Sequence, residues 1–133
     1  MSAQTAPKKI YLKDYQAPDY RIKNYKLNFK LFEDFCLVES EFKTEKTNLK
    51  SKDLYLDGEE LELVFISVNG QIPTYQVIHE GLWIRDLPDK ATIVIHTKIK
   101  PQLNTALEGL YKSNNVFCTQ CEAQSFRKIT YFM

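Results

Sequence analysis

The sequence predicts an all-β fold, an antiparallel β-sandwich or open barrel with one short helix near the C-terminus. Three observations carry this reading. Tyr25, Leu27, Phe29 and Leu31 alternate with Lys26, Asn28, Lys30 and Phe32, the period of two expected of a strand with one buried face. Turn dipeptides, Asp57-Gly58 and Asn69-Gly70 among them, punctuate apolar runs at intervals of about ten residues. The run from Ala91 to Lys100 is rich in β-branched residues and stops at Pro101, which cannot donate to a sheet ladder.

Taken in order, residues 1–10 are polar with Pro7 and predict a flexible tail. Residues 14–19 predict an extended connection, since Pro18 disfavours helix before it. A first strand follows with Tyr25, Leu27, Phe29 and Leu31 directed inward. Residues 35–42 form its expected partner, with Glu33-Asp34 at the turn, and the charged stretch 43–52 is expected to be a hairpin end or loop. Short strands are expected at 54–56, 61–68, 75–79 and 82–84. Asn69-Gly70 suits a type I′ hairpin because both residue types tolerate positive φ. In the strand 91–100, Ile93, Ile95, Thr97 and Ile99 share a face. Thr119 and Glu122 have the spacing of a capping box, in which each side chain bonds the other residue's backbone amide, and would open a short helix around 123–129.

The chain has 133 residues, with 44% apolar and 26% charged, ordinary values for one soluble domain with its own core. The net charge of +1 gives no global field toward nucleic acid or membrane. Three cysteines, an odd number, argue against a secreted disulfide framework. With no apolar run long enough to span a bilayer and no signal-peptide h-region, the expectation is a cytoplasmic chain with no membrane partner.

The candidate chemistry is sparse. Cys118 and Cys121 form a Cys-x-x-Cys pair, but structural zinc needs four ligands. Cys36, His79 and His96 do not supply the remaining spacing, so two reduced thiols and no metal ligands are expected here. Residues 1–30 hold seven Lys or Arg against Asp14 and Asp19, interleaved with tyrosines. That pattern would suit single-stranded nucleic acid on a β platform. It equally describes a solvated strand face, and no nucleic-acid partner is expected. A free-standing β-sandwich module that binds protein or nucleic acid is the alternative reading of the whole chain.

The last thirty residues are more specific. Asn104–Tyr111 reads Asn-Thr-Ala-Leu-Glu-Gly-Leu-Tyr, Phe117–Ala123 reads Phe-Cys-Thr-Gln-Cys-Glu-Ala, and Phe126-Arg127-Lys128-Ile129-Thr130-Tyr131 follows. Together with Asp14-Tyr15-Gln16-Ala17-Pro18-Asp19-Tyr20, Leu56-Asp57-Gly58-Glu59-Glu60-Leu61 and Val68-Asn69-Gly70, these strings resemble the aminopeptidase N family of zinc aminopeptidases over about residues 11–133. The resemblance implies a saddle-like, antiparallel β-sandwich: the N-terminal non-catalytic domain of an enzyme that removes N-terminal residues, alanyl-type and broad in taste, from peptides. It implies that the family's Gln-x-Glu falls on Gln120 and Glu122, with Glu122 anchoring the substrate's free amine and Gln120 lining the pocket for the first side chain.

The family's Gly-x-Met-Glu-Asn and His-Glu-x-x-His strings do not occur in the sequence. The resemblance therefore implies a fragment that is catalytically silent by itself. Catalytic residues and Zn2+ would belong to the full-length enzyme, and the partners would be a peptide N-terminus and the fragment's own catalytic domain. Unpaired strand edges would allow self-association.

Overall fold

The computed structural model describes residues 9–133. The tail expected over residues 1–10 lies outside the described residues except for Lys9 and Ile10, which are exposed. Among the described residues the nine strands are β1 (Tyr20–Leu31), β2 (Cys36–Lys46), β3 (Leu54–Asp57), β4 (Glu62–Val68), β5 (Tyr75–Ile78), β6 (Gly81–Ile84), β7 (Lys90–Ile99), β8 (Gly109–Ser113) and β9 (Val116–Gln120). They form three antiparallel sheets. The large one has the order β1-β2-β7-β4, a second has β3-β6-β5, and β8-β9 is a hairpin.

The long strands explain the architecture. On β7 the residues Ala91, Ile93, Ile95, Thr97 and Ile99 are all buried, and Val38, Ser40, Phe42 and Thr44 line up beside them on β2. Alternation of period two therefore creates one apolar face about ten residues long. Two covers share it. The three-stranded sheet brings Leu54, Leu56, Leu82 and Ile84 onto Phe42, Ile66, Ile93 and Ile95 in one core. Leu110 of the hairpin and Ile129 of the C-terminal segment cover Cys36, Val38 and Ile99 in a second.

The C-terminal segment is tied to both sheets. Phe132 and Asp57 exchange backbone hydrogen bonds of 3.0 and 2.7 Å, and the Thr97 hydroxyl donates to the Ile129 carbonyl at 3.2 Å. Tyr131 is buried in the first core, with its ring against Gly58.

Several local expectations need correcting. Leu27, Phe29 and Leu31 do lie on the inner side of the sheet, opposite Ser40, Val38 and Cys36. No element among the described residues covers them fully, however, and they are 37%, 39% and 49% exposed. The polar stretch after residue 42 continues β2 to Lys46 before the chain turns, because Thr44 alternates inward and is buried. Asn69 (φ 51°) and Gly70 (φ 80°) make the expected tight turn, closed by reciprocal Val68–Gln71 backbone bonds. Its flanking strands then part: β4 pairs with β7, and β5 with β6.

The capping box does not form. Thr119 and Gln120 extend β9, and the helix is a single 3-10 turn, Ser125–Lys128, preceded by Gln124 without a side-chain cap. So short a segment gains too few internal bonds to nucleate an α-helix.

Two tests follow. A Cβ at Gly58 would collide with the Tyr131 ring, whereas Gly70 has open space and only its φ of +80° to lose. Gly58→Ala is expected to destabilise by about 2–3 kcal/mol through overpacking, and Gly70→Ala by about 1 kcal/mol, both read by urea denaturation. The second test concerns pH. Burial pushes the Tyr25 phenol up from 10.0 to about 12, against weaker opposing hydrogen bonding from Ser40 and Thr130. The folded state thus favours the protonated phenol. Its contribution is complete below pH 10 and is lost as pH rises toward 12, where the unfolded chain has already released the proton. The Tyr25 hydroxyl has no hydrogen bond of good geometry, so Tyr25→Phe should be near neutral at pH 7 and flatten the alkaline loss by up to about 2–3 kcal/mol.

Candidate functional site

The site singled out in the sequence lies where β9 ends. β8 and β9 pair from Gly109↔Gln120 to Ser113↔Val116, and the turn between them is Asn114-Asn115, with φ of 48° and 66°. Asn is among the few residue types that adopt this left-handed region readily. No strand is legible here from apolar periodicity, and this Asn-Asn pair is the signal that would have found the hairpin.

Entry to β8 is organised by Asn104. Its side-chain amide donates to the carbonyls of Glu108 (2.6 Å) and Leu110 (3.0 Å), and its Oδ1 accepts the Ala106 N–H at 3.1 Å. Gly109 then takes φ +76°, and a Cβ there would sit 3.0 Å from Lys128 Cβ and 3.5 Å from the Ser125 carbonyl. Glycine at this position lets the 3-10 turn lie directly on the hairpin, beside Gln120.

Beyond Gln120 the chain leaves the sheet and is clipped at several points. The Glu122 N–H donates to Gln120 Oε1 at 3.1 Å. The Cys121 carbonyl accepts the Ser125 N–H at 3.1 Å, and the Glu122 carbonyl accepts the Ser125 hydroxyl at 3.4 Å. The peptide from Glu122 to Ala123 is cis. The side-chain clip stands where the capping box was expected: the amide that a helix would have used is held by a glutamine side chain. Gln120 and Glu122 are therefore adjacent, exposed and joined by a hydrogen bond. With its oxygen engaged, Gln120 keeps its amide N–H groups to offer outward, and the Glu122 carboxylate stays open to accept. A donor and an anionic acceptor side by side suit a ligand that carries an ammonium next to a polar carbonyl.

The supporting framework is charged. Lys128, 14% exposed, reaches Glu108 at 2.7 Å and Glu59 at 3.8 Å. The hydrogen bond to Glu108 holds its ammonium above the ordinary lysine range, with burial opposing. Arg127 reaches Asp57 at 3.5 Å. These pairs fasten the 3-10 turn to the loop after β3 and to the entry of β8. The groove of about 420 Å³ bounded by Glu60, Leu61, Lys98, Asn104, Leu110 and Lys128 includes neither Gln120 nor Glu122.

The remaining sequence candidates do not join them. Cys118 and Cys121 are free, partly buried thiols, and Cys36 is buried in the second core. His79 is exposed near the β5–β6 turn, and His96 stands 3.5 Å from Glu39 beside Phe65. Among the described residues no group of three His, Cys, Asp or Glu side chains could hold a metal ion. No helix among them is long and apolar enough to cross a membrane.

Comparison with known proteins places these features in context. No family model matches. The chain is 41% identical over 128 residues to aminopeptidase N of Escherichia coli, and 39% identical over 129 residues to that of Caulobacter vibrioides. These alignments cover 96% and 95% of the chain but only 15% of each relative, so the chain spans about one seventh of the length of the relatives it matches. Among solved structures, Legionella pneumophila aminopeptidase A in complex with aspartic acid superposes with a TM-score of 0.82 at 25% identity. That match covers 91% of this chain and 15% of that one. A mutant M1 zinc metallopeptidase of Deinococcus radiodurans, bound to a Tyr-Ser-Ala substrate, gives a TM-score of 0.71 at 13% identity, over 86% of this chain and 29% of that one.

The clip between Gln120 and Glu122 is open to a direct test. Gln120→Ala should leave global stability within about 0.5 kcal/mol, as exposed substitutions usually do. Hydrogen exchange at the Glu122 amide should speed up roughly tenfold on loss of its acceptor. Unchanged protection in an NMR exchange experiment would show that another group holds that amide.

Proposed function

Because this chain belongs to the aminopeptidase N family, we propose that residues 11–133 act as the non-catalytic β domain of a zinc aminopeptidase and that Gln120 and Glu122 meet the N-terminus of its peptide substrate. The observation that carries this reading is the exposed, hydrogen-bonded pair at the end of β9, whose Gln-x-Glu spacing lies within the part of the chain aligned to aminopeptidase N.

The chemistry follows from what an aminopeptidase has to distinguish. A peptide's first residue carries an α-ammonium, whereas an internal residue offers an amide at the same place. The Glu122 carboxylate accepts charge-assisted hydrogen bonds from the ammonium, and with an internal amide in its place the acid would lack a charged partner. Gln120, whose oxygen is engaged by the Glu122 N–H, directs its amide donors toward the first residue. The backbone clips at Ser125 limit how far the carboxylate can drift, so less order is lost on binding. When bound by the rest of the enzyme, zinc would polarise the scissile carbonyl and activate water. This chain's part is to set which end of the peptide arrives. A broad alanyl-type preference, peptides as substrates and a cytoplasmic setting belong to the same reading.

The coding sequence beyond codon 133 decides the first part. It is expected to continue into Gly-x-Met-Glu-Asn and His-Glu-x-x-His, and a native stop codon would remove the enzymatic reading. In the full-length polypeptide, Glu122→Gln should raise KM for alanyl arylamides roughly 10–100-fold, the range for loss of a hydrogen bond to a charged group. Zinc content should not change. An unaltered KM would take the amine-anchoring role from Glu122.

A further inference from the structure

We infer that Lys128 is a positioning residue for the amine site: it fastens the turn that clips Glu122 to the β8–β9 hairpin. The inference rests on the reading that Glu122 meets the substrate's α-ammonium. Gln120 is the last residue of β9 and pairs with Gly109, the first residue of β8. From there the chain leaves the sheet and returns at Lys128, whose ammonium reaches the Glu108 carboxylate at 2.7 Å. Both ends of the excursion 120–128 are therefore fastened to adjacent residues, Glu108 and Gly109. Glu122 lies on that closed loop, and Ser125 clips it from within. The Ser125 N–H donates to the Cys121 carbonyl at 3.1 Å, and its hydroxyl donates to the Glu122 carbonyl at 3.4 Å. Fastening both ends of a loop removes conformations that binding would otherwise have to remove.

Packing and charge both act on Lys128. Its stem lies over Gly109, where an added Cβ would stand 3.0 Å from Lys128 Cβ. Its ammonium serves Glu108 and, at 3.8 Å, Glu59. The lysine side chain is 14% exposed, whereas those of Glu108 and Glu59 are 50% and 45% exposed. Loss of the lysine would therefore leave no acid buried without a partner, and the fold should survive while the loop loosens. The turn is also held elsewhere. The Glu59 N–H donates to the Arg127 carbonyl at 2.9 Å, and Ile129 is buried in the second core. Those holds tie the turn to the loop after β3 and to the core, and the Lys128–Glu108 pair is its charged connection to the entry of β8. Within the turn, the Ile129 N–H bonds the Phe126 carbonyl, and Gln124 supplies no side-chain cap. So short a turn has little internal stiffness, and its tilt against the hairpin is set by the residue that bridges them.

The test has a kinetic arm and a structural arm. In the full-length polypeptide, Lys128→Met should raise KM for alanyl arylamides roughly 3–5-fold, the scale of a partly exposed ion pair. Its kcat should stay within about twofold, since the lysine does not touch the reacting atoms. Lys128→Arg keeps the charge and the stem and should recover most of the lost affinity. Glu108→Gln should raise KM in the same direction, and it carries the comparison if Lys128→Met fails to fold. In a Glu122→Gln background, Lys128→Met should add less than about twofold, because a residue that acts through Glu122 has lost its route. Full additivity would overturn the proposal, as would an unchanged KM in Lys128→Met where Glu122→Gln still raises it. If Glu122→Gln itself leaves KM unaltered, the amine-anchoring reading falls and this inference with it. In this chain alone, amide exchange at Ser125 should quicken roughly 3–5-fold in Lys128→Met. Unchanged protection there would remove the positioning role without reference to substrate.

Discussion

The fold depends on covering one long apolar face with two short pieces. At about 3.3 Å per residue, the ten-residue strands of the large sheet run for roughly 33 Å, whereas four-residue strands reach about 13 Å. The sheet of β3, β5 and β6 therefore covers one part of the inner face, and the β8–β9 hairpin another. The segment 129–131 connects the two cores they make. Ile129 belongs to the hairpin's core and Tyr131 to the other, with Thr130 buried between them. A hydroxyl from β7 and a backbone bridge to Asp57 hold this segment from both sides.

The loop that carries Gln120 and Glu122 inherits its position from that connection. Gln120 and Glu122 are exposed and carry little of the packing themselves. Their placement comes from the hairpin pressing Leu110 into the second core and from Gly109, which lets the 3-10 turn lie against β8. Lys128, with Glu108 and Glu59, closes the remaining gap by charge. A rigid sheet with an adaptable rim is a common division of labour, because backbone groups left off the ladder are free to be arranged by side chains.

Much of the sheet was legible in the sequence. Alternation predicts β1 and β7, β-branched and aromatic richness predicts β4, and the Glu33-Asp34 turn predicts β2 as the partner of β1. What alternation could not show was whether a facing layer exists: Leu27, Phe29 and Leu31 have the pattern of buried residues without a cover. Nor could it show that the strands flanking Asn69-Gly70 would separate into different sheets, since pairing partners are chosen by long-range packing. The β8–β9 hairpin carries no period-two signal because Gly109–Ser113 and Val116–Gln120 are short and mix polar with apolar residues. At the site itself, Gln120 and Glu122 stood out only through family resemblance. The Thr119–Glu122 spacing predicts a helix cap, and the structure gives the Glu122 amide to Gln120 instead.

The register shift in β1 has a consequence for how the chain tolerates change. Before it, Tyr20 and Ile22 face the core; after it, Tyr25 does, with its ring stacked on Phe42 at 5.2 Å. The phase of the strand switches from even to odd at Asn24, whose φ is 53°. One extra residue is thus absorbed while Lys23 and Lys26, on either side of it, both stay toward water. Asn24 is exposed and polar. Removing it would leave Lys23 opposite Lys43 and Tyr25 opposite Phe42, and would merge Tyr20, Ile22 and Tyr25 into one regular alternating face. Adding a second residue there, with the bulge kept to one, would turn Tyr20 and Ile22 outward and Arg21 and Lys23 toward the core. The segment therefore accommodates loss of its extra residue and resists the gain of another.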